Sequence, residues 1–463
     1  MSIPNLEELY ADAERKARII EMEREMTAAG VKHVLLQYVT VQGRVLCKVV
    51  PTEYWVQAAT KGMNLAYLIA AGQHITKSGE AVGRDPVTAQ EGLMMPDLDT
   101  YAVLPWDTRF ATVFCTHYRR LDDAEAPGAY AEDDARAVLK AALEDLRNDF
   151  GITARSGCEP EMSWFTGRNA IDTSRSHYPD YIGTSYSYRH LDDVREVLAK
   201  VSEYATALGF TMIQADYEDP GQLEINFLYD DFLKTADRLV TYRQICMQVA
   251  KELGILATFM PKPVHGIMAN GCHHHVSFWR GEENIMLHPS GHQYQMSDEG
   301  LHAVGGLLSH ARGMSALMSP TVNSYKRYLD VNWSPSVTSW GYDNRVCAFR
   351  ALPGRVEVRQ PDASVNPYLS HLAIVAAVRD GLKNNLDPGP AQAGETTEGT
   401  KEFAPLPITL DEALNAFEQD EVISGALPPQ LRENFLRCKR DEWMRFCGAI
   451  TNWDFDTYLN YVP

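Results

Sequence analysis

The sequence predicts an α+β protein of two domains, a small β-rich one over residues 1–109 and a larger one over 110–463. Short runs of β-branched residues with period-2 alternation dominate the first segment. Units of a helix followed by a strand recur along the second, with acidic residues at the strand ends. A chain of 463 residues also exceeds the usual size of one domain.

Taken in order, VKHVLLQYV and RVLCKVV are joined by Val41-Gln42-Gly43, which predicts a hairpin. A shorter helical stretch follows, and MMPDLDTYAVLPW closes the segment. DDARAVLKAALEDLRNDFG sets Val138, Ala142 and Leu146 on one face and stops at Gly151, ahead of a strand carrying EPEMSWF. LDDVREVLAKVSEYATALG repeats the pattern, with Leu191, Val194, Val201 and Leu208 as its stripe and Gly209 as its stop, before FTMIQADYE. A third helix over 232–253 precedes ILATFMP. The Pro/Gly/Thr-rich stretch 386–402 predicts a mobile surface loop. Thr409 and Glu412 form a capping-box signature opening a helical C-terminal region. No internal repeat or low-complexity tract is present.

A hydrophobic content of 45% is ample for a core, and a formal charge of −19 argues against nucleic acid or an anionic membrane as partner. That charge also requires any nucleotide site to neutralise its own acids with bound metal. No run approaches the roughly 18 apolar residues of a membrane helix, and MSIPNLEELYADAERK is acidic and amphipathic rather than signal-like. The eight cysteines are dispersed without a CxxC pair, the pattern of reduced thiols in a cytoplasmic protein. P-loop, GxGxxG and GxSxG motifs are absent.

Chemistry is concentrated in EPE (159–161), EDPGQLE (218–224), NGCHHHVS (270–277), NSYKR (323–327), NRVCAFR (344–350) and RVEVRQPD (355–362). Glu159 and Glu161 stand two apart, so on a strand they share a face, where two like charges repel unless a cation lies between them. His273 and His275 likewise share a face, with His274 opposite. Alone, EPE reads as a solvated strand edge and a lone histidine as structural. Together with Glu218, Glu224 and Glu357 they supply the ligand types of hard divalent cations such as Mg²⁺ or Mn²⁺; thiolate partners for zinc are missing. Arg327, Arg345, Arg350, Arg355 and Arg359 would singly be surface ion-pair formers. AFRALPGRVEVRQPD, however, sets arginines among strand-forming apolar residues, where a half-buried guanidinium needs an anion. Acids for metals beside arginines for anions make up the inventory of an ATP-dependent phosphoryl-transfer site.

The order and wording of these motifs resemble the glutamine synthetase family over nearly the full chain. The resemblance implies an amino-terminal β-grasp domain followed by a large catalytic α/β domain. It also implies hexameric rings, often stacked as dodecamers, whose active sites are shared between subunits. In such enzymes ATP phosphorylates the side-chain carboxylate of L-glutamate, and an amine then displaces phosphate. By position, Glu161, Glu218 and Glu224 would hold the metal nearer glutamate, with Asp216 as the alternative to Glu218. Glu159, His273 and Glu357 would hold the metal on the ATP phosphates. Arg345 and Arg359 would stabilise the transferring phosphoryl group, Arg350 and Arg355 would assist at the nucleotide, and His275 and Ser277 would face it. Arg327 would hold the substrate carboxylate, with Met268 and Ala269 beside it.

The chain also departs from ammonia-using members. Their Asp-Gly-Ser-Ser-like segment, whose aspartate binds ammonium, is replaced by MNLAYLIAAG (63–72), which has no acid. Their flap glutamate, six residues beyond the arginine of NSYKR, is replaced by Trp333. Met268 stands where an asparagine often contacts glutamate. An ammonium site wants negative charge, whereas a bulky apolar side chain favours an amine bearing carbon. These changes are similar to those of γ-glutamylalkylamide synthetases, which join glutamate to primary amines such as methylamine. An ammonia-fixing enzyme would place another acid, such as Asp330 or Asp343, at the ammonium site, and Trp333 could then be a core aromatic. A catalytically dead member with a structural role would lack metal ligands, and here every one has a candidate. The family's adenylylation tyrosine has no counterpart at 397–403, so no such regulation is expected.

Overall fold

The computed structural model describes residues 3–71, 90–165, 185–219, 221–288, 295–329, 333–394 and 403–460. The first alternating runs form the expected hairpin, β1 (His33–Val39) and β2 (Val45–Pro51), paired antiparallel from His33 opposite Pro51 to Val39 opposite Val45. Gly43 turns it at φ +77°, and a Cβ there would lie 3.4 Å from Asn366 Cα. The turn is docked on the second half of the chain: Asn366 Nδ2 donates to Thr40 O (3.2 Å) and Val41 O (3.1 Å). β3 (Met63–Ala66), β4 (Glu91–Pro96), β5 (Ala102–Val103) and β6 (Phe110–Tyr118) complete a sheet in the order β2-β1-β6-β4-β3, with β5 on β6. β1 and β6 run parallel at its centre, and helix Trp55–Lys61 buries Trp55, Ala58 and Ala59 against Val34, Leu36 and Val113. That is a β-grasp arrangement. The sheet extends past the expected boundary at residue 109, because β6 pairs with β1 and β4 of the first segment.

The second sheet has ten strands: β7 (Thr153–Phe165), β8 (Met212–Asp219), β9 (Gln222–Phe227), β10 (Asp230–Asp231), β11 (Leu256–Thr258), β12 (Cys272–Arg280), β13 (Glu283–Asn284), β14 (Trp340–Tyr342), β15 (Phe349–Leu352) and β16 (Arg355–Val358). Its order is β14-β15-β16-β12-β7-β9-β8. β7 alternates buried Ala154, Ser156, Cys158 and Pro160 with half-buried Arg155, Gly157, Glu159 and Glu161, so one face packs and the other is free for chemistry. The packing face meets helices Ala135–Phe150 and Phe232–Leu253, both within the expected ranges. Asp134 and Asp231 cap their first turns, and Gly151 and Gly254 end them in left-handed conformation. The expected helix over 191–208 is divided into Tyr188–Asp193 and Arg195–Ala207, because Val194 (φ −107°, ψ 11°) leaves the helical region. Thr409 Oγ1 accepts from Glu412 N (3.1 Å), but the Glu412 carboxylate accepts from Ile408 N (3.1 Å) and not from Thr409, so the capping box closes one residue early. The stretch 386–394 is free of helix and strand, and 395–402 lies outside the described residues, as do Asp330 and most of 397–403. No helix among the described residues is long and apolar enough to cross a membrane.

Two charged knots fasten the helices. Arg136, 4% exposed, donates twice to Asp237 (2.9 and 2.8 Å) and lies 3.0 Å from Asp97, while Tyr368 donates to Asp237 (2.6 Å). At the other knot His310, between helices Asp298–Ser309 and Ala311–Met318, meets Asp420 (2.8 Å) and Asp380 (3.2 Å) through its two ring nitrogens. Burial pushes its pKa down, but Asp420 and Asp380 outweigh burial and raise it. The stabilisation is therefore full below the unfolded value of about 6.5 and is lost as pH rises through the raised native value. Melting temperatures of wild type and His310→Gln should accordingly differ most near pH 6 and converge above the native pKa. A gap constant from pH 6 to 9 would contradict the clamp.

Candidate active site

The free face of β7 and that of β12 lie side by side. Register pairs His273 with Glu159 and His275 with Gly157, and β16 brings Glu357 opposite His275. His275 Nε2 lies 2.8 Å from Glu159, and His273 Nδ1 lies 3.3 Å from Glu159 and 3.2 Å from Glu357. Ligand atoms of Glu159, His275 and Glu357 all fall within 4.8 Å of one another. The structure thus gathers both histidines on this acid pair: His273, which sequence reasoning placed there, lies beside both carboxylates, and His275 joins them. Burial and Arg359 push the His273 pKa down, yet Glu159 and Glu357 carry it up to about 9. Burial works to raise Glu159 and Glu357, and the two histidines outweigh it to hold both carboxyls well down.

A second acid cluster joins Asp216, Glu218 and Glu224, again with ligand atoms within 4.8 Å. Asp216 and Glu218 both belong to it, so the choice between them dissolves: on β8 they share one face. Burial, then the neighbouring Glu161 and Asp216, raise Glu218 to about 7, against an opposing pull from Arg345. Burial, Glu159 and Glu161 raise Glu224 well above its ordinary range. Glu161 stands beside this cluster, opposite Glu224 in register, with one oxygen accepting from Gly271 N (2.6 Å) and Gln222 Nε2 (3.1 Å). Mutually destabilised carboxylates of this kind fit a hard divalent cation, which would remove the repulsion.

Gly271 is where these parts approach most closely. A Cβ there would lie 3.2 Å from both Arg327 Nη2 and His273 Nε2 and 3.3 Å from Glu161 Oε1. Arg327 is buried, its guanidinium fixed on Gln360 O (3.0 Å) and Arg359 O (3.4 Å). Arg359 donates to Glu357 (2.7 Å) and to the Trp333 carbonyl (3.2 Å), and its buried Nε has no partner among the described residues. Such an orphan donor suits an incoming anion. Arg350 is committed to Glu357 (3.0 Å) and Asp343 (3.0 Å). Arg345 lies near Tyr186, a non-glycine residue at φ +62°, and pulls its pKa down against burial and Glu218, which raise it. Trp333 is 60% exposed, which rules out a core aromatic. Met268 N donates to Asp219 (2.6 Å), and Ala269 O accepts from Gln222 Nε2 (2.9 Å), fixing the chain before Gly271.

From the Glu159–His275 end opens a cavity of about 460 Å³, lined in part by His275, Ser277, Arg355, Tyr229 and Trp279. Arg355 Nε donates to His275 Nδ1 (3.3 Å), and Ser277 Oγ accepts from Trp279 Nε1 (2.9 Å). Arg350 does not line it. Sequence reasoning missed Tyr229 and Trp279, although Trp279 follows Ser277 by two and so shares its face.

A β-grasp sheet ahead of a sheet carrying two acid clusters and converging arginines defines a class of nucleotide-using ligases. The glutamine synthetase catalytic-domain profile matches residues 132–458. Glutamate–methylamine ligase of Methyloversatilis universalis is 33% identical over 95% of this chain and 99% of its own. Glutamine synthetase of Pyrococcus abyssi is 35% identical over 78% of this chain and 84% of its own. A solved structure of GmaS in complex with ADP superposes with a TM-score of 0.86 at 29% identity, covering 96% of this chain and 99% of that one. Ligand-free GmaS superposes with a TM-score of 0.84, covering 94% and 98%. The chain belongs to the glutamine synthetase family and is an ATP-dependent ligase.

Proposed function

We propose that the protein phosphorylates the γ-carboxylate of L-glutamate with ATP and condenses it with a primary amine, giving a γ-glutamylamide, ADP and phosphate. The observation that carries this reading is the gathering of two acid clusters with the buried Arg327 and Arg359, and a cavity that opens from the Glu159–His275 end. Nucleotide would lie in the cavity with its base toward Ser277 and Arg355 and its phosphates toward Glu159, His273, His275 and Glu357. Arg327 would hold the acid substrate through a bidentate contact. Arg359 and Arg345 would face the charge that builds up on the transferring phosphoryl group. Arg350 keeps Glu357 in place. Mg²⁺ or Mn²⁺, held by Glu159, Glu357 and a histidine and by Asp216, Glu218, Glu224 and Glu161, would supply charge neutralisation at the phosphates and the acyl oxygen. In the family manner, a neighbouring subunit in a hexameric ring or a stacked dodecamer would complete the site. The thiols, unpaired throughout, suit a cytoplasmic setting.

Selection of an alkylamine over ammonium is read from two positions. The segment 63–71 presents no acid, and Trp333 stands at the rim, tethered through its carbonyl to Arg359. Asp343, a possible substitute acid, is held by Arg350. ADP release with ATP, Mg²⁺ and glutamate should be faster with an apolar alkyl or aryl amine, such as methylamine, isopropylamine or aniline, than with ammonium or putrescine. Trp333→Glu should lower the ratio of kcat/KM for methylamine to that for ammonium by roughly tenfold or more, the scale on which pockets discriminate carbon substituents. The glutamine synthetase relatives favour a second reading, ammonia fixation. Wild-type preference for ammonium would establish it.

A further inference from the structure

The face of β7 that carries Glu161 and Glu159 continues through Gly157 to Arg155. β12 follows it in antiparallel register, setting His273 opposite Glu159, His275 opposite Gly157 and Ser277 opposite Arg155. Together the strands make a track with acids at one end and the 460 Å³ cavity at the other. Four residues of extended strand, about 13 Å, separate Glu159 from Arg155. An extended nucleoside triphosphate spans a similar length from its last phosphate to its base. Between them Gly157 lets Tyr229 pack close against the strand. A Cβ there would meet Tyr229 Cβ at 3.3 Å.

Arg155 is half-buried and lines the cavity, yet its guanidinium has no hydrogen bond or ion pair among the described residues. Its guanidinium lies over the indole of Trp279, 4.3 Å from the ring centroid. Trp279 is itself fixed by its bond to Ser277. A guanidinium held on an aromatic ring is positioned while the N–H donors along its planar edge stay available. A half-buried cation of this kind lacks only an acceptor. Asp231, opposite Arg155 in register on β10, is taken up in capping the helix it precedes, and the acid clusters of the site lie at the other end of the track, so bound phosphates would lie there too.

We propose that Arg155 is a base-recognition residue, donating from its guanidinium edge to acceptor nitrogens of a purine whose phosphates lie at the Glu159 end. The proposal rests on the ATP-using reading above and adds to it the group that selects the base. It is tested by calorimetric titration of ADP and of inorganic tripolyphosphate, each with Mg²⁺, into wild type, Arg155→Leu and Arg155→Lys. Loss of a charge-assisted hydrogen bond should weaken ADP roughly tenfold in Arg155→Leu, with tripolyphosphate binding unchanged. Lysine lacks the planar fork, so Arg155→Lys should recover little. In turnover, KM for ATP should rise in both variants while kcat and KM for glutamate stay put. Unchanged ADP binding, a parallel loss of tripolyphosphate, or full recovery by lysine would each overturn the assignment. A wild type that binds neither ligand would overturn the ATP reading itself, and the assignment with it.

Discussion

Glu357→Gln should lower kcat/KM for the ligation by about a thousandfold, the upper end of the cost of removing a single donor from a transition-state site. Glu357 is 1% exposed and is gripped by Arg350 (3.0 Å), Arg359 (2.7 Å) and His273 (3.2 Å). Its charge does two things. It offers an oxygen to the cation site with Glu159 and His275, and it holds the two arginines in place. Glutamine preserves shape and some hydrogen bonding but removes the charge, leaving a surplus of positive groups in a buried space. Circular dichroism should show the variant folded. A variant that retained a tenth of wild-type kcat/KM would mean that Glu357 is structural only.

Arg136→Met should cost about 3–5 kcal/mol of stability, the usual penalty for removing one partner of a buried ion pair. The variant strands two carboxylates at once, Asp237 with only the Tyr368 hydroxyl left, and Asp97. Burial works to raise the Asp97 pKa, and Arg136 with Lys140 outweighs it, so the native protein relies on that carboxylate being charged. Because Asp97 follows β4 and Asp237 lies on helix Phe232–Leu253, the knot also ties the first sheet to the second half of the chain. Urea unfolding at equal protein concentration measures the loss. A difference below about 1 kcal/mol would show that solvent reaches the knot and screens it.

What was legible in the sequence follows from period. Glu159 and Glu161, His273 and His275, and Glu357 and Arg359 all fall on shared faces because alternation on a strand is local information. The same holds for helix Phe232–Leu253, whose N-cap aspartate and C-terminal glycine both lie in the sequence. Register between distant strands is not local. Nothing near Arg155 or near Ser277 says that they stand opposite each other, so the stack of Arg155 on Trp279 could not be read. Nor could the arrival of His275 beside Glu159 and Glu357, which depends on how β16 lies against β12. Arg136 was hidden for another reason. It sits in a helix whose apolar stripe reads normally, and its burial depends on two acids from remote segments. The boundary at 109 erred because β6 is defined by its partners rather than by its composition.

The length of β7 has an evolutionary consequence. One strand contributes alternate residues to packing and to chemistry from Ala154 to Glu161, and four other strands pair with it. A substitution within it changes a single side chain. An inserted or deleted residue would instead exchange the faces downstream, turning Glu159 and Glu161 inward and Cys158 and Pro160 toward the cavity. Descent in this region is thus confined to point replacement, and diversity of substrate has to arise elsewhere, as in the segment around Trp333.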